Sequence, residues 1–289
     1  MRKKLIPVVL IVTLSVVYCV ILGKFLGNIS HRPVFQNSSD TRELLIIMYH
    51  SVLRDKSLSG KYVVTPDELK SDIEYLKKNE YTFVSAQELI DFAESGSLLP
   101  DKPVLLTFDD GHYNQFGYVM PILEETGANA VVSVVGSYTD EYSEKNIKNM
   151  TYGYLRWSEV YDMFLSNRTE VGNHSYNFHS NTNGRNGSKK KKWESAEDYK
   201  KIFTEDTMKA QDRFMTKTGF SPVIYTYPFG AYSEETTDML KDMGFKMSLT
   251  CTEGINIISH NPDSLFLLKR YNRPGNISSE RFFEKILND

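Results

Sequence analysis

Pro103-Val104-Leu105-Leu106-Thr107-Phe108-Asp109-Asp110-Gly111 is a largely apolar run that stops at two adjacent carboxylates and a glycine. Such a run predicts a strand over 103–108, buried on both faces, with the aspartates just past its end. The segments on either side repeat the theme. Leu44 to Met48 predicts another buried strand. Thr65-Pro-Asp-Glu68 is a helix start, with Thr65 as cap, Pro66 in the first turn and Glu68 at the box position, and the helix runs through Leu76. A short strand over 81–84 and a capped helix over 85–92 follow. Downstream, helix is expected over 118–125, strand over 130–135, helix over 157–164 and a short strand over 169–172. Strand at 223–227, helix at 233–243, strand at 246–250 and a closing helix at 279–287 complete the series. This alternation predicts an α/β architecture built from parallel strands.

In parallel α/β folds, ligands and catalysis gather at the C-terminal edge of the strands, where Asp109 and Asp110 are expected. Neighbouring residues on extended chain point in different directions, so one carboxylate can hold a metal while the other holds a proton. Asp-Asp-Gly is also a common turn, and alone it does not separate turn from site. Gly172-Asn-His-Ser-Tyr-Asn-Phe-His179 adds the missing partners, His174 and His179, just past another short strand. Two imidazoles and one carboxylate suit Zn²⁺ with a position left open, and a site of that kind acidifies water. The same donors also accept Ni²⁺ or Co²⁺.

The N-terminus bears on the compartment. Arg2, Lys3 and Lys4 precede an uncharged apolar run from Leu5 to Gly23, which Lys24 closes. About 19 residues at 1.5 Å each span roughly 28 Å, close to the apolar thickness of a bilayer. Positive charge ahead of the span places everything after it outside the cytoplasm. The expected organisation is a transmembrane signal anchor over 1–24, a polar linker over 25–41 and one large domain over 42–289. The chain carries 34 basic and 37 acidic residues. Without the three N-terminal basic residues the balance is 31 against 37, about −6, which argues against a nucleic-acid partner. Cys19 lies in the span and Cys251 in the domain, so no internal disulfide is expected. The Asn/Gly/Ser-rich stretch 180–188 and the basic cluster Lys189 to Trp193 read as a solvated mobile loop, or as a grip on an anionic polymer with Trp193 against a sugar.

Thr107-Phe-Asp-Asp-Gly111, His174 with His179, and Tyr227-Pro-Phe-Gly230 resemble, in order, the successive motifs of the carbohydrate esterase family 4 polysaccharide deacetylases. The shared region of that family is the NodB homology domain, here expected over about 101–289, and its fold is a distorted (β/α) barrel. The resemblance implies roles residue by residue. Asp109 matches the general base that takes a proton from the attacking water. Asp110, His174 and His179 match the metal triad. Phe229 follows Pro228 where the family offers a backbone N–H to the oxyanion, and Tyr227, Pro228 and Arg273 are candidates for substrate contact. Trp157, at a helix start, reads as core.

Three departures narrow the resemblance. The two histidines are five residues apart rather than four. Thr226 stands where many members carry an Arg that orients the base, a role open to Arg270 or Arg273. The late Leu-x-His motif that supplies the acid is absent. These features, with Met48-Tyr-His50, are similar to the poly-β-1,6-N-acetylglucosamine deacetylase branch, which implies His50 as the acid. The expected substrate is an acetylated extracellular polysaccharide met by a single-pass, membrane-anchored, bacterial domain of Gram-positive type. Peptidoglycan, xylan acetyl esters and a catalytically lapsed glycan-binding domain are the rival readings.

Overall fold

The computed structural model describes residues 41–288. The anchor expected over 1–24 lies outside the described residues, as does the linker apart from Thr41. Among the described residues no helix is long and apolar enough to cross a membrane. In chain order the strands are β1 (Thr41–Tyr49), β2 (Ser51–Val52), β3 (Val63–Val64), β4 (Thr82–Phe83), β5 (Pro103–Phe108) and β6 (Ala130–Val134). They continue with β7 (Thr169–Asn173), β8 (Ile224–Thr226), β9 (Met247–Leu249), β10 (Asn256–Ser259) and β11 (Tyr271–Asn272). The helices are α1 (Pro66–Lys78), α2 (Ala86–Ser95), α3 (Met120–Thr126), α4 (Gly136–Glu144), α5 (Trp157–Leu165), α6 (Ala196–Thr218), α7 (Thr236–Asp242) and α8 (Ser279–Asn288).

The main sheet runs β10-β1-β5-β6-β7-β8-β9, parallel throughout except for β10, which pairs antiparallel with the start of β1. Its two ends approach each other through one segment. Leu268 bridges to Leu249 at the end of β9, and β11 pairs parallel with β1. The sheet therefore curls into a distorted barrel, and Arg270 falls between the two bridging points. Side chains alternate across the sheet as the pleat requires. Leu45, Ile47, Tyr49, Val104, Leu106 and Phe108 share one core with the helical layer. Leu44, Ile46, Leu105, Val131 and Leu249 share the other. Fully burying each such Leu, Ile or Phe contributes about 1.5–3 kcal/mol, which explains why β1 and β5 must be apolar on both faces.

The expected strand over 103–108 is β5, the expected capping box at Thr65 forms, and the capped helix expected from Ser85 also starts with a box. Thr65 and Ser85 each accept from the backbone N–H three residues on, while Glu68 and Glu88 reach back to the cap N–H. Sequence reading omitted α6, the longest helix described. Its buried face is Tyr199, Phe203, Thr207, Ala210, Gln211, Phe214 and Thr218. The spacing is helical, but Thr207, Gln211 and Thr218 are polar and interrupt the apolar stripe that pattern reading relies on. The stretch before it is also ordered. Arg185 pairs with Glu194, the Ser188 hydroxyl bonds the Tyr225 hydroxyl at 2.8 Å, and the Tyr199 hydroxyl donates to the Ser188 carbonyl. The expectation of a mobile loop over 180–193 is corrected on those contacts.

Candidate active site

Asp109 continues the β5 ladder, its N–H donating to the Tyr49 carbonyl at 3.0 Å. Asp110 then turns sharply, with φ at 72°. Aspartate tolerates this left-handed backbone better than most side chains, and the turn swings the two carboxylates apart. Gln115 ties the construction together, because its Nε2 donates to the carbonyls of both Asp109 (2.7 Å) and His50 (2.9 Å). It is fully buried. Nothing in sequence marks a lone glutamine as a brace between two strand ends.

Arg270 grips Asp109 with two parallel hydrogen bonds, Nη1 to Oδ1 and Nη2 to Oδ2, each 2.7 Å. The rest of its fork is used as well, with Nε donating to the Thr250 carbonyl and Nη1 to Thr107 Oγ1. Burial alone would raise the Asp109 pKa. The charge and hydrogen bonds of Arg270 outweigh it and hold the carboxyl below its ordinary value. Asp109 is thus an ionised carboxylate held in one orientation. Thr226 Oγ1 meets Ser133 Oγ at 2.6 Å, so the missing arginine of that position is replaced from the barrel seam.

One oxygen of Asp110 lies 3.4 Å from His174 Nε2 and 2.9 Å from His179 Nε2. Donor atoms of the three residues all fall within 4.8 Å of one another. His174 Nδ1 is 2.8 Å from the Thr226 carbonyl, which can only accept, so Nδ1 carries the proton. Its Nε2 then presents a lone pair toward a carboxylate oxygen that finds no hydrogen-bond partner among the described residues. Two bare acceptors facing each other call for a cation between them, and the three donors fit a divalent metal. On the other side His112 Nε2 is 3.4 Å from the second Asp110 oxygen, its ring stacked on Tyr154. Burial would raise Asp110, but the three imidazoles gathered round it, His112, His174 and His179, hold it well below the ordinary range.

The five-residue histidine spacing has its own support. Asp206 on α6 accepts the N–H groups of Tyr176 and Asn177 at 2.9 and 2.8 Å, and the Tyr138 hydroxyl donates to the His179 carbonyl at 3.2 Å. Burial pushes the Asp206 carboxyl up to about 6 in spite of those two amides. At neutral pH it is still mainly the carboxylate that holds the loop. Asp206→Ala is expected to weaken divalent-metal affinity about tenfold by loosening His179, read by competition with a chromogenic chelator.

A cavity of about 670 Å³ opens over these groups, lined among others by His50, Asp109, Asp110, His174, His179 and Phe229. His50 follows directly on β1, with its ring 4.7 Å from that of Tyr62 and its Nδ1 buried without a hydrogen-bond partner among the described residues. Burial pushes its pKa down, against the opposing pull of Asp109 and Asp110. Phe229 has φ at 58°, and its ring lies 4.5 Å from that of His179. A larger groove elsewhere, bridged by Lys70 and Glu125, contains none of the predicted site residues.

Three expected substrate contacts are corrected. Tyr227 is fully buried, its hydroxyl on Thr236, and Pro228 is buried behind the turn. Their task is to shape the Phe229 turn. Arg273 is buried against Asp72, to which Nε and Nη2 donate at 2.9 and 3.0 Å, and it does not line the cavity. Trp157 is core, as expected. Gly187, at φ 54°, packs against the Pro228 carbonyl so closely that any Cβ would displace it. Gly187→Ala is therefore expected to lower kcat about tenfold or more, with KM little changed, by shifting the Phe229 turn.

A buried carboxylate fixed by arginine thus lies beside a metal-fitting triad at the C-terminal edge of a curled parallel sheet. The chain belongs to the polysaccharide deacetylase family, whose model matches residues 97–248. Among its relatives, the poly-β-1,6-N-acetyl-D-glucosamine N-deacetylase of Escherichia coli (strain K12) is 26% identical over 261 residues. That alignment covers 83% of this chain but only 38% of the relative's length. The protein of the same name from Staphylococcus aureus (strain MRSA252) is 22% identical, with 87% of each chain covered. Among solved structures, a de-N-acetylase from Aggregatibacter actinomycetemcomitans superposes with a TM-score of 0.70 at 25% identity, covering 85% of this chain and 99% of that one.

Proposed function

We propose that this chain hydrolyses acetamido groups on N-acetylhexosamine units of an extracellular polysaccharide, releasing acetate, and that poly-β-1,6-N-acetylglucosamine is the favoured polymer. The observation that carries the reading is the Arg270-clamped Asp109 lying beside Asp110, His174 and His179 under one open cavity. The preference for the β-1,6 polymer rests on the names of the relatives and on His50 standing in place of a late histidine.

Asp110, His174 and His179 would hold the metal, with Zn²⁺ the first candidate and Ni²⁺ or Co²⁺ alternatives. When bound, such an ion polarises the acetyl carbonyl and lowers the pKa of water. Asp109 accepts the proton of the water that attacks the acetyl carbon. Its carboxylate is already ionised and oriented, so little reorganisation is needed at that moment. The Phe229 N–H, on its left-handed turn, would donate to the oxygen on which charge develops. As the C–N bond breaks, the departing nitrogen takes a proton from the His50 imidazolium. Burial works against His50 carrying that proton, and the carboxylates of Asp109 and Asp110 work in its favour. The products are acetate and a free amine.

An uncleaved anchor over 1–24 would place the domain outside the cytoplasmic membrane, next to either wall or capsule polymer. The test is acetate release from β-1,6- and β-1,4-linked N-acetylglucosamine oligomers and from peptidoglycan, with and without chelator. Release from the β-1,6 oligomers that stops with chelator and returns with Zn²⁺ is expected. Release that ignores chelator would overturn the metal role, and a preference for peptidoglycan would overturn the substrate.

A further inference from the structure

Trp193 is 70% exposed, and it is a large apolar surface to leave in water. A single exposed aromatic needs no explanation when it rides on a loose loop. Trp193 does not. The next residue, Glu194, pairs with Arg185, and Glu194 also accepts the Lys191 N–H at 2.8 Å. Lys190 is fixed to the segment between β8 and α7, its N–H on Ser233 Oγ at 2.9 Å and its Nζ on Glu235 at 2.6 Å. Beneath the indole lies Gly184, at φ 72°, whose bare backbone meets the benzo half of the ring where any Cβ would collide with it. The ring is thus seated on glycine backbone, with the Lys191 ammonium 5.8 Å from its centroid and most of its surface in solvent.

The position relates this ring to the cavity. Gly184 and Gly187 are three residues apart, so no more than about 10 Å of chain separates them. Gly187 abuts the Pro228 carbonyl, next to Phe229 at the cavity wall. Trp193 does not itself line the cavity. It is tied to the cavity wall through Gly184, Gly187 and the Phe229 turn.

We propose that Trp193 is a stacking platform for a hexosamine ring of the polymer, outside the unit whose acetyl group is cut. The inference rests on the deacetylase reading above. A β-linked hexosamine keeps its hydroxyls around the rim and presents C–H groups on its faces. Laying such a face on a fixed indole removes apolar surface from water on both sides. Because the ring is already immobilised, little side-chain entropy is lost on binding. The platform reads sugar shape rather than charge, and it serves only chains long enough to reach it.

The experiment uses the full chain and a ladder of β-1,6-linked N-acetylglucosamine oligomers from the dimer upward. Trp193→Ala is expected to raise KM about fivefold for the longer oligomers while leaving kcat, and the dimer, unchanged. Trp193→Phe should recover most of that loss. A second readout needs no turnover. The sequence has two tryptophans and Trp157 is buried, so quenching of emission by long oligomers reports Trp193. Equal KM for wild type and Trp193→Ala at every length, or a rise that includes the dimer, would overturn the platform. So would turnover by the wild type without quenching. Quenching by long oligomers without acetate release would sustain the platform and overturn the deacetylase reading.

Discussion

Arg270→Ala is expected to cost about 3–5 kcal/mol of stability and about a hundredfold or more in kcat. The stability loss follows from burial. Arg270 is fully buried and Asp109 is 2% exposed, so removing the guanidinium leaves a carboxylate with no counter-charge and no water. The activity loss follows from orientation, since both oxygens of the base lose their fixed donors. Urea unfolding and acetate release measure the two effects separately. Asp109→Asn should likewise abolish turnover and destabilise by a similar amount, because it leaves the buried Arg270 charge without a counter-charge and sets an amide NH2 against one of its donors. The double variant should be less destabilised than the sum of the single changes, as expected for groups in direct contact.

The same pair makes a signed pH prediction. The folded pKa of Asp109 lies below its ordinary value of 3.8. The pair's contribution is therefore fully present above the unfolded pKa and is lost as pH falls through the folded one. In Arg270→Ala burial stays while the strongest opposing influence is gone, leaving only the weaker pull of His174 and His50, so the Asp109 pKa should rise above its ordinary value. That variant should gain stability as pH falls through the raised value, where the wild type shows no such gain. Unfolding curves across an acidic pH series would show the two slopes, and parallel slopes would remove the clamp from the account.

His50→Gln is expected to lower kcat on acetamido substrates by about 10²–10⁴, the range for losing a positioned general acid. On an activated acetyl ester the loss should be below about tenfold, because that leaving group departs without a proton. The contrast is the diagnostic. Equal losses on amide and ester would mean that His50 organises the cavity and does not deliver a proton. Metal affinity should change little, since His50 is not among the three residues whose donor atoms cluster.

How much of this was legible beforehand depends on the distance over which each feature acts. The strand over 103–108 was legible because six consecutive residues are buried in sequence order. The capping box at Thr65 was legible because cap and partner are three residues apart. Asp109, Asp110, His174 and His179 were recognisable as a set through the order and spacing of their motifs. The long helix α6 was not, because packing against neighbouring strands and helices lets polar Thr207 and Gln211 face inward. Gln115 and Asp206 were invisible for a different reason. Each acts on backbone atoms brought close by folding, and side-chain type alone does not announce such a partner.

By itself, the sequence determined the alternating architecture, the family and the four residues at the heart of Thr107-Phe-Asp-Asp-Gly111 and its histidines. These depend on local periodicity and on short motifs, both written along the chain. Only the tertiary structure decided between Arg270 and Arg273. Both are arginines on the same short segment, and nothing local distinguishes them. Pairing of 271–272 with β1, and of Leu268 with β9, puts Arg270 in the barrel seam against Asp109, while Arg273 turns to Asp72. The choice is made by a contact spanning 161 residues, closed by the curl of the sheet.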